Sequence, residues 1–303
     1  GRPDLDRVVF RIIESETTRL LEAEKGRIDL LWNNIPPYAV EKISALPGMS
    51  VHTRPGITYQ YLGFNLEDGI LGNAPVRRAI AHAIDRGRVI RHLDHGMGRP
   101  AGGLLAPENW AHEADVPTYA FDHRAADEPP DEAGYPRGEG GVRFSLTYKP
   151  STNRQANETA DIIAEDLAAA GIKVARRSFE WGTFYGDIKA GNFQIYSLRW
   201  VGITDPDTLH YIFHSDNLPP AGANRGRYRS AEVDELLDRS RRELDQDARK
   251  ILFSRIQKIL AEDTVYVSLW HPDDIFALAD RFEGFEAFPG GQYTSLKKVR
   301  LRE

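Results

Sequence analysis

The sequence has no cysteine among its 303 residues. It therefore cannot form a disulfide, an iron–sulfur cluster, a thiolate zinc site or a cysteine nucleophile. It has no apolar run near the roughly 20 residues that cross a bilayer, and no long basic run to set against its net charge of −6. These absences disfavour a membrane-spanning chain and a chain whose main partner is DNA, another nucleic acid or an anionic membrane surface.

Nucleotide-binding loops are also missing. The glycine pairs at 102–103 and 140–141 lack the spacing and the strand–helix context of a dinucleotide or triphosphate site. No Gly-x-Ser-x-Gly elbow is present either. We therefore expect no cofactor and no catalytic residues. What remains is typical of a globular protein, with 41% hydrophobic and 28% charged residues, and the length indicates about two domains.

Hydrophobic periodicity and turn residues predict a mixed α/β chain. The predicted strands cover residues 8–13, 28–31, 49–54, 59–65, 142–148, 173–178, 193–200, 265–270 and 275–279. The predicted helices cover residues 17–24, 36–46, 75–92, 153–170, 181–190, 208–214, 231–243 and 247–263. Residues 96–141 are rich in glycine and proline and are expected to have little regular structure. In the helix that starts at Pro75, we expect Arg77, Arg78 and Arg86 to face outward.

The most informative segment is RWVGITDPD at residues 199–207, together with NRGRY at residues 224–228. It places an apolar strand, a glycine turn and a group of polar residues in one place, and ligands of open α/β sheets bind where strands end. We predict a ligand site here. Its candidate residues are Arg199, Trp200, Gly202, Ile203, Thr204, Asp205, Asn224 and Arg225. Asp205 and Asp207 can equally cap the helix that begins near Thr208, and the arginines can be solvated loop residues.

Several segments together resemble the family 5 extracellular solute-binding proteins, the dipeptide, oligopeptide and nickel receptors of bacterial ABC importers. The segment just described is one of them. The others are YQYLGFN at 59–65, PVRRAIAHAIDR at 75–86, AGYP at 133–136, AGIKV at 170–174 and EWGTF at 180–184. They occur in the order of the family, so the resemblance covers essentially the whole chain. It adds Tyr59 and Asn65 to the candidate ligand-binding residues.

The resemblance implies an α/β fold of the type II periplasmic-binding-protein kind, with two lobes of mixed sheet and flanking helices. Residues 1–57 and 281–303 would form an incomplete first lobe and residues 58–280 the second, with crossings near 55–60 and 278–284. Hinge closure around a solute would be the mechanism. The implied partners are a peptide or other small solute and an inner-membrane permease, and a monomer is expected. The chain would be exported to the periplasm or cell surface, with its signal and part of the first lobe outside this sequence.

Two departures from the family pattern bear on function. Family members carry a short helix before AGYP, whereas this chain has DEPPD at residues 127–131, and we expect its two prolines to break that helix. Peptide receptors of the family place an aspartate three residues after the tryptophan, where it pairs with the α-ammonium group of the peptide. Here that position is Ile203. Either Asp205 replaces the missing carboxylate or the solute has no α-amine at this point.

Two alternatives to a peptide receptor remain open. One is a receptor for a non-peptide solute such as a metal chelate, a sugar or an opine-like compound. The other is a metal-dependent hydrolase that uses Asp207, His210 and His214, because spacings of three and four residues place all three on one helix face. The family pattern favours a binding protein with no enzymatic activity and no resident metal.

Overall fold

The computed structural model describes residues 3–32, 35–288 and 293–302. The helices are α1 (Glu16–Glu24), α2 (Val40–Ser44), α3 (Ala74–Ala83), α4 (Arg86–Leu93), α5 (His123–Glu132), α6 (Arg154–Ala169), α7 (Trp181–Ala190), α8 (Thr208–Phe213), α9 (Ala231–Arg242) and α10 (Gln246–Glu262). The strands are β1 (Leu30–Trp32), β2 (Met49–Arg54), β3 (Tyr59–Phe64), β4 (Gly98–Pro100), β5 (Phe144–Lys149), β6 (Ile172–Arg176), β7 (Ile195–Trp200), β8 (Tyr266–Pro272), β9 (Asp274–Ala279), β10 (Phe282–Glu283) and β11 (Arg300–Leu301). Across these three stretches, no helix is long and apolar enough to cross a bilayer.

A six-stranded mixed sheet forms the centre of the larger part, in the order β4-β8-β3-β7-β5-β6. Strand β3 pairs antiparallel with β7 and β8, while β5 runs parallel to β6 and β7. Side chains alternate across the sheet, as strand geometry requires. Tyr59 and Tyr61 pack in the core under α7 to α10, and Leu62 and Phe64 pack in the core under α3, α4 and α6. Helices therefore cover both faces.

A smaller antiparallel sheet, β1-β9-β2, forms the second part of the fold. Strand β9 pairs with both neighbours, for example Leu278 with Leu30 and with Ser50. This corrects one predicted boundary, because the segment 274–279 was assigned to the larger lobe. The chain leaves the large sheet after Pro272, immediately before β9, and not near residue 280. The physical reason is that only one residue separates β8 from β9. The hydrophobic pattern therefore does not show that the two strands belong to different sheets.

Two predicted elements are absent or divided. The segment 8–13 is not a strand, and Val9, Phe10 and Ile12 are exposed. The helix predicted for 75–92 is two helices, because Asp85 accepts the backbone N–H of Arg88 and starts a new helix. The other predicted strands and helices are found with shifts of a few residues at their ends.

Arg77 and Arg86 are not outward-facing, contrary to the helical-wheel expectation. The guanidinium of Arg77 lies inside and donates to the carbonyls of Leu71, Thr264 and Asp263. That of Arg86 donates to several carbonyls as well. Carbonyl groups at helix and strand ends need donors, and long arginine side chains reach them.

The prolines of the DEPPD segment do not break a helix, so that expectation was wrong. Helix α5 contains both Pro129 and Pro130 and is held by tertiary contacts. Pro130 is buried, and Arg143 donates to the backbone carbonyl and carboxylate of Asp127 and to the carboxylate of Asp131. These contacts outweigh the two lost backbone hydrogen bonds.

Candidate functional site

The site is built where β7 ends beside the start of β3. Trp200, the last residue of β7, pairs in register with Tyr59, the first residue of β3. The chain then turns through Gly202, whose φ of 69° lies in the left-handed region that glycine tolerates best. The turn continues to α8, which begins at Thr208. The predicted strand, glycine turn and helix are therefore confirmed.

Within the turn, the structure separates buried from accessible residues. Ile203 is only 5% exposed and packs in the core with Leu209 and Ile212. Thr204 and Asp205 are exposed, and the Thr204 carbonyl accepts from the Asn109 side-chain amide at 3.2 Å. Ile203 thus anchors the turn from inside.

Asp205 has a structural contact of its own. Its Oδ1 accepts the backbone N–H of Asp207 at 2.9 Å, so it closes the turn before α8. Its other oxygen has no partner in the described stretches. The capping expectation is therefore not met: the N-cap residue of α8 is Asp207, whose side chain makes no capping hydrogen bond, and Asp205 only closes the turn before it.

Arg225 lies against Trp200 and joins it to α7. Its guanidinium carbon is 4.6 Å from the centre of the Trp200 ring and 5.5 Å from that of Tyr185. Its two terminal nitrogens donate to the hydroxyls of Tyr61 and Tyr185, each at 3.2 Å. Such cation–π and hydrogen-bonding contacts hold a charged group in place without neutralising it.

Trp181 completes the arrangement on the outer side. Its ring stacks on Tyr185 at 5.4 Å with an angle of 6° between the planes, and its side chain is 53% exposed. Trp181, Tyr185, Arg225 and Trp200 form what we call the aromatic–arginine stack. The stack joins β7 to the first and fifth residues of α7, and its outer ring is open to solvent.

The electrostatics of the stack are unusual because its cation has no anionic partner among the described residues. Arg225 is 7% exposed and makes no ion pair with a carboxylate of the described residues. Burial acts to lower the pKa of Arg225, but the hydroxyl groups of Tyr61, Tyr196 and Tyr266 outweigh it, so the pKa lies above its ordinary value. The guanidinium keeps its charge at any physiological pH. The indole Nε1 of Trp200 is also buried without a described acceptor.

Three predicted site residues serve the fold. The hydroxyl of Tyr59 is buried and bonds Ser268 Oγ at 2.8 Å. Asn65 donates to the carbonyls of Gly191 and Phe193. Asn224 is 1% exposed and ties its own loop together through the carbonyl and N–H of Tyr228. Arg199 is exposed at the strand end, and Arg227 pairs with Glu67 at 3.3 Å.

In the candidate metal site, the carboxylate beside the two histidines is not the one predicted from the sequence. Within the described residues, one group could supply three ligand atoms within 4.8 Å of one another: His210, His214 and Asp238. Asp207 instead pairs with Arg241 at 3.1 Å.

The hydrogen bonds of the two histidines count against a metal. Nδ1 of His214 accepts the N–H of Asp216, and Nδ1 of His210 faces the Asn217 amide, whose nitrogen also donates to a carbonyl. A histidine that binds a metal through Nε2 normally donates from Nδ1. Here both Nδ1 atoms face donors, so neither is arranged to donate as in a metal-bound histidine. The Nε2 atoms lie 3.5 and 3.7 Å from Asp238, and Nη1 of Arg241 lies 3.5 Å from both ring nitrogens of His210. Burial, assisted by Arg241 and His214, lowers the pKa of His210 and keeps its ring neutral.

Sequence reasoning favoured a core position for Trp181, Phe184 and Tyr185, and the structure divides them. Phe184 and Ile188 are buried in the core, Tyr185 is partly buried against the same core, and Trp181 is 53% exposed and stacks on Tyr185. One sequence signal could have shown this. Trp181 and Tyr185 are four residues apart, as are Phe184 and Ile188, so the two pairs form separate stripes on the helix surface.

Residues 1–218 match the model of the bacterial extracellular solute-binding proteins, family 5 Middle. The chain belongs to this family. It is 33% identical over 292 residues to Protein XP55 of Streptomyces lividans, and 27% identical over 297 residues to heme-binding protein A of Haemophilus influenzae. The alignments cover 93% and 96% of the chain but 53% of each relative. This family 5 chain thus spans about half the length of the curated relatives it matches.

Solved structures confirm the fold class. HbpA2 from Haemophilus parasuis superposes with a TM-score of 0.86 at 25% identity and covers 100% of this chain and 59% of its own. The oligopeptide-binding protein AppA from Bacillus subtilis, solved with a nonapeptide, gives a TM-score of 0.84 at 24% identity, with 100% and 62% covered. The family 5 chain therefore has the type II periplasmic-binding-protein fold. The family and AppA are binding proteins by name.

Proposed function

We propose that this chain is the solute-binding part of a bacterial ABC importer, which binds a peptide or peptide-like solute and delivers it to a membrane permease. The observation that carries the proposal is the aromatic–arginine stack beside the end of β7, whose outer ring, Trp181, is open to solvent, in a chain of this family. The oligopeptide-binding protein AppA, 26% identical over 310 residues, supports the substrate class. Export to the periplasm or cell surface and binding without catalysis are part of the proposal.

The stack has the chemistry for such a solute. Flat aromatic faces accept peptide planes and apolar side chains, and the unpaired charge of Arg225 favours a carboxylate or a carbonyl oxygen. Asp205, exposed with one free oxygen, is the nearest carboxylate along the chain to the position of Ile203. In this proposal, Asp205 replaces the missing partner of the α-ammonium group.

A non-peptide solute is the second candidate, and one observation favours it. Ile203 is buried in the core, so the usual position of the amine partner offers a solute neither charge nor surface. One relative, 27% identical, is named a heme-binding protein. A solute without an α-amine could bind to the stack alone and would need no carboxylate partner.

Thermal shifts of the intact protein with short peptides test the proposal, using the same peptides with free and acetylated N-termini. Saturation at a hundredfold excess over Kd adds about 2.7 kcal/mol. We expect stabilisation that requires the free amine and disappears in Asp205→Asn but not in Asp216→Asn, the control.

Equal stabilisation by both peptide forms would remove the amine role of Asp205. Stabilisation by a nickel chelate, a sugar or haem, with none by any peptide, would replace the peptide class by the second candidate.

A further inference from the structure

A cavity of about 420 Å³ is lined by none of the four residues of the aromatic–arginine stack. It is formed where the junction of α3 and α4 meets the end of β4, the segment 117–121 and strand β8. A volume of this size is within the range of small-molecule sites in proteins. The lining residues used below are Arg86, Pro100, Pro117, Thr118, Phe121 and Ser268.

Arg86 gives this cavity a positive charge. Its Nε donates to the carbonyl of Ser268 at 2.6 Å, and its Nη1 donates to the carbonyls of Ala81 and Tyr119 at 3.1 and 2.8 Å. All these partners are neutral, and no described carboxylate forms an ion pair with Arg86. Burial lowers its pKa to about 10, so the side chain stays protonated at neutral pH. Arg86 is partly buried. Removing a cation from water without a counter-ion is costly, and a bound anion would relieve that cost.

One nitrogen of Arg86 is available to such an anion. Nη2 has no partner in the described stretches, and it is not sealed from solvent. Arg77 provides the internal comparison, because it is a buried arginine that is also bonded to carbonyls, whereas Arg86 is only partly buried. All three side-chain nitrogens of Arg77 are engaged, with Nη2 donating to the carbonyl of Asp263. Bonds to carbonyl groups therefore satisfy every side-chain nitrogen of Arg77, but they leave Nη2 of Arg86 free to donate.

The other walls favour an apolar body on the ligand. Pro100, Pro117 and Phe121 line the cavity, and Phe121 is 43% exposed. The hydroxyl of Ser268 is already bonded to Tyr59. Asp85 also lines the cavity, but its carboxylate accepts the N–H of Arg88 and lies 3.6 Å from Arg91, so neighbouring groups offset its charge.

We propose that this cavity binds a small organic carboxylate, whose oxygens meet Nη2 of Arg86 and whose apolar part lies against Pro100, Pro117 and Phe121. Guanidinium groups prefer carboxylates because two oxygens match their planar donors. The site is distinct from the stack, and the proposal does not depend on the transported solute.

Benzoate is the probe, with benzamide as its uncharged analogue and inorganic phosphate as an anion without an apolar part. Titration of the intact protein is followed by calorimetry and by the NMR signal of the Arg86 Nε–Hε group. We expect saturable benzoate binding that moves this signal, and at least tenfold weaker binding of benzamide and of phosphate.

Exposed Thr118 provides variants that leave the carbonyl contacts of Arg86 intact. Thr118→Glu should weaken benzoate binding at least tenfold by repulsion, whereas Thr118→Gln, matched in size, should change it less than threefold. Benzamide binding as tightly as benzoate, phosphate binding as tightly as benzoate, or equal effects of the two variants would each overturn the proposal. Solute binding at the stack should be unaffected in both variants, which separates this test from the test of the transported solute.

Discussion

The guanidinium of Arg225 is held by side chains from three separated parts of the chain. Tyr61 comes from β3, Tyr185 from α7 and Trp200 from β7. Each contact alone is modest, but together they fix a charged group in a dry environment where its field is weakly screened. At the scale of single residues, the site is therefore defined by one cation and the aromatic faces around it.

Replacing Trp181 by alanine tests the outer ring of the stack. Because the side chain is 53% exposed, we expect the free energy of unfolding to change by no more than about 0.5 kcal/mol. Solute affinity should fall about tenfold, since a stacking face is lost. Calorimetry measures the affinity, with the solute that gives the largest thermal shift. Leu244→Ala, which also changes an exposed apolar residue, is the control. Unchanged affinity in Trp181→Ala would remove the ring from the binding surface.

Asp94 makes stability depend on pH in a predictable direction. It is 1% exposed, accepts from Trp270 Nε1 and Gln155 Nε2, and burial raises its pKa to about 6. The folded state thus takes up a proton at a higher pH than the unfolded state, in which an aspartate has its ordinary pKa of about 3.9. The contribution of Asp94 is most favourable below pH 4 and is lost as pH rises to 6, by up to about 3 kcal/mol.

Urea unfolding from pH 4 to pH 7 checks this, with Asp94→Asn as the comparison. Asparagine does not titrate, so subtracting the two profiles removes the contributions of all other carboxyl groups. We expect the wild type to gain stability relative to Asp94→Asn as pH falls from 6 to 4. Parallel profiles would show that the carboxyl group ionises equally easily in both states.

At the scale of elements, α5 shows tertiary contacts overriding local preference. Two prolines remove backbone hydrogen bonds from a ten-residue helix, yet the helix persists against α3. Arg143 supports it from outside, and its side chain is 1% exposed. Arg137 pairs with the same Asp127 from a side chain that is 38% exposed.

These two arginines make a matched pair of variants. We expect Arg143→Ala to lower the free energy of unfolding by about 2 kcal/mol, because a side chain that is only 1% exposed loses its packing and its hydrogen bonds to the carbonyl of Asp127 and to two carboxylates. Arg137→Ala should cost less than about 1 kcal/mol, as exposed ion pairs do. Urea unfolding gives both values, and hydrogen exchange should show α5 opening only in Arg143→Ala. Similar losses in the two variants would mean that α5 does not depend on the buried contact.

At the scale of the whole molecule, the two sheets are joined where β2 and β9 meet the large sheet. Arg54 at the end of β2 pairs in register with Asp274 at the start of β9. Gly56 lies two residues further on, and a Cβ there would lie 2.4 Å from the carbonyl oxygen of Pro272. The two crossings therefore lie in backbone contact, which suits the proposed hinge between lobes.

Gly56→Ala tests this close approach. The methyl group must push the crossings apart, so we expect a loss of about 1–3 kcal/mol in the free energy of unfolding. Gly69→Ala is the control, since a Cβ there meets nothing within 4 Å. Thermal unfolding measures both. Equal stability of the two variants would show that the crossings separate freely.

The sequence by itself determined the family and the fold class through the order of its family-like segments. It determined most of the elements through hydrophobic periodicity and turn residues, which are local signals. It also located the glycine turn and Ile203 at the end of β7. Tertiary structure decided which side chains meet there: that Ile203 and Tyr59 are buried, that Trp181 is open, and that Asp238 replaces Asp207 beside the histidines. It also decided the sheet to which β9 belongs and the persistence of α5. These outcomes depend on contacts between residues far apart in the chain, whose energies exceed the local preferences that a sequence pattern expresses.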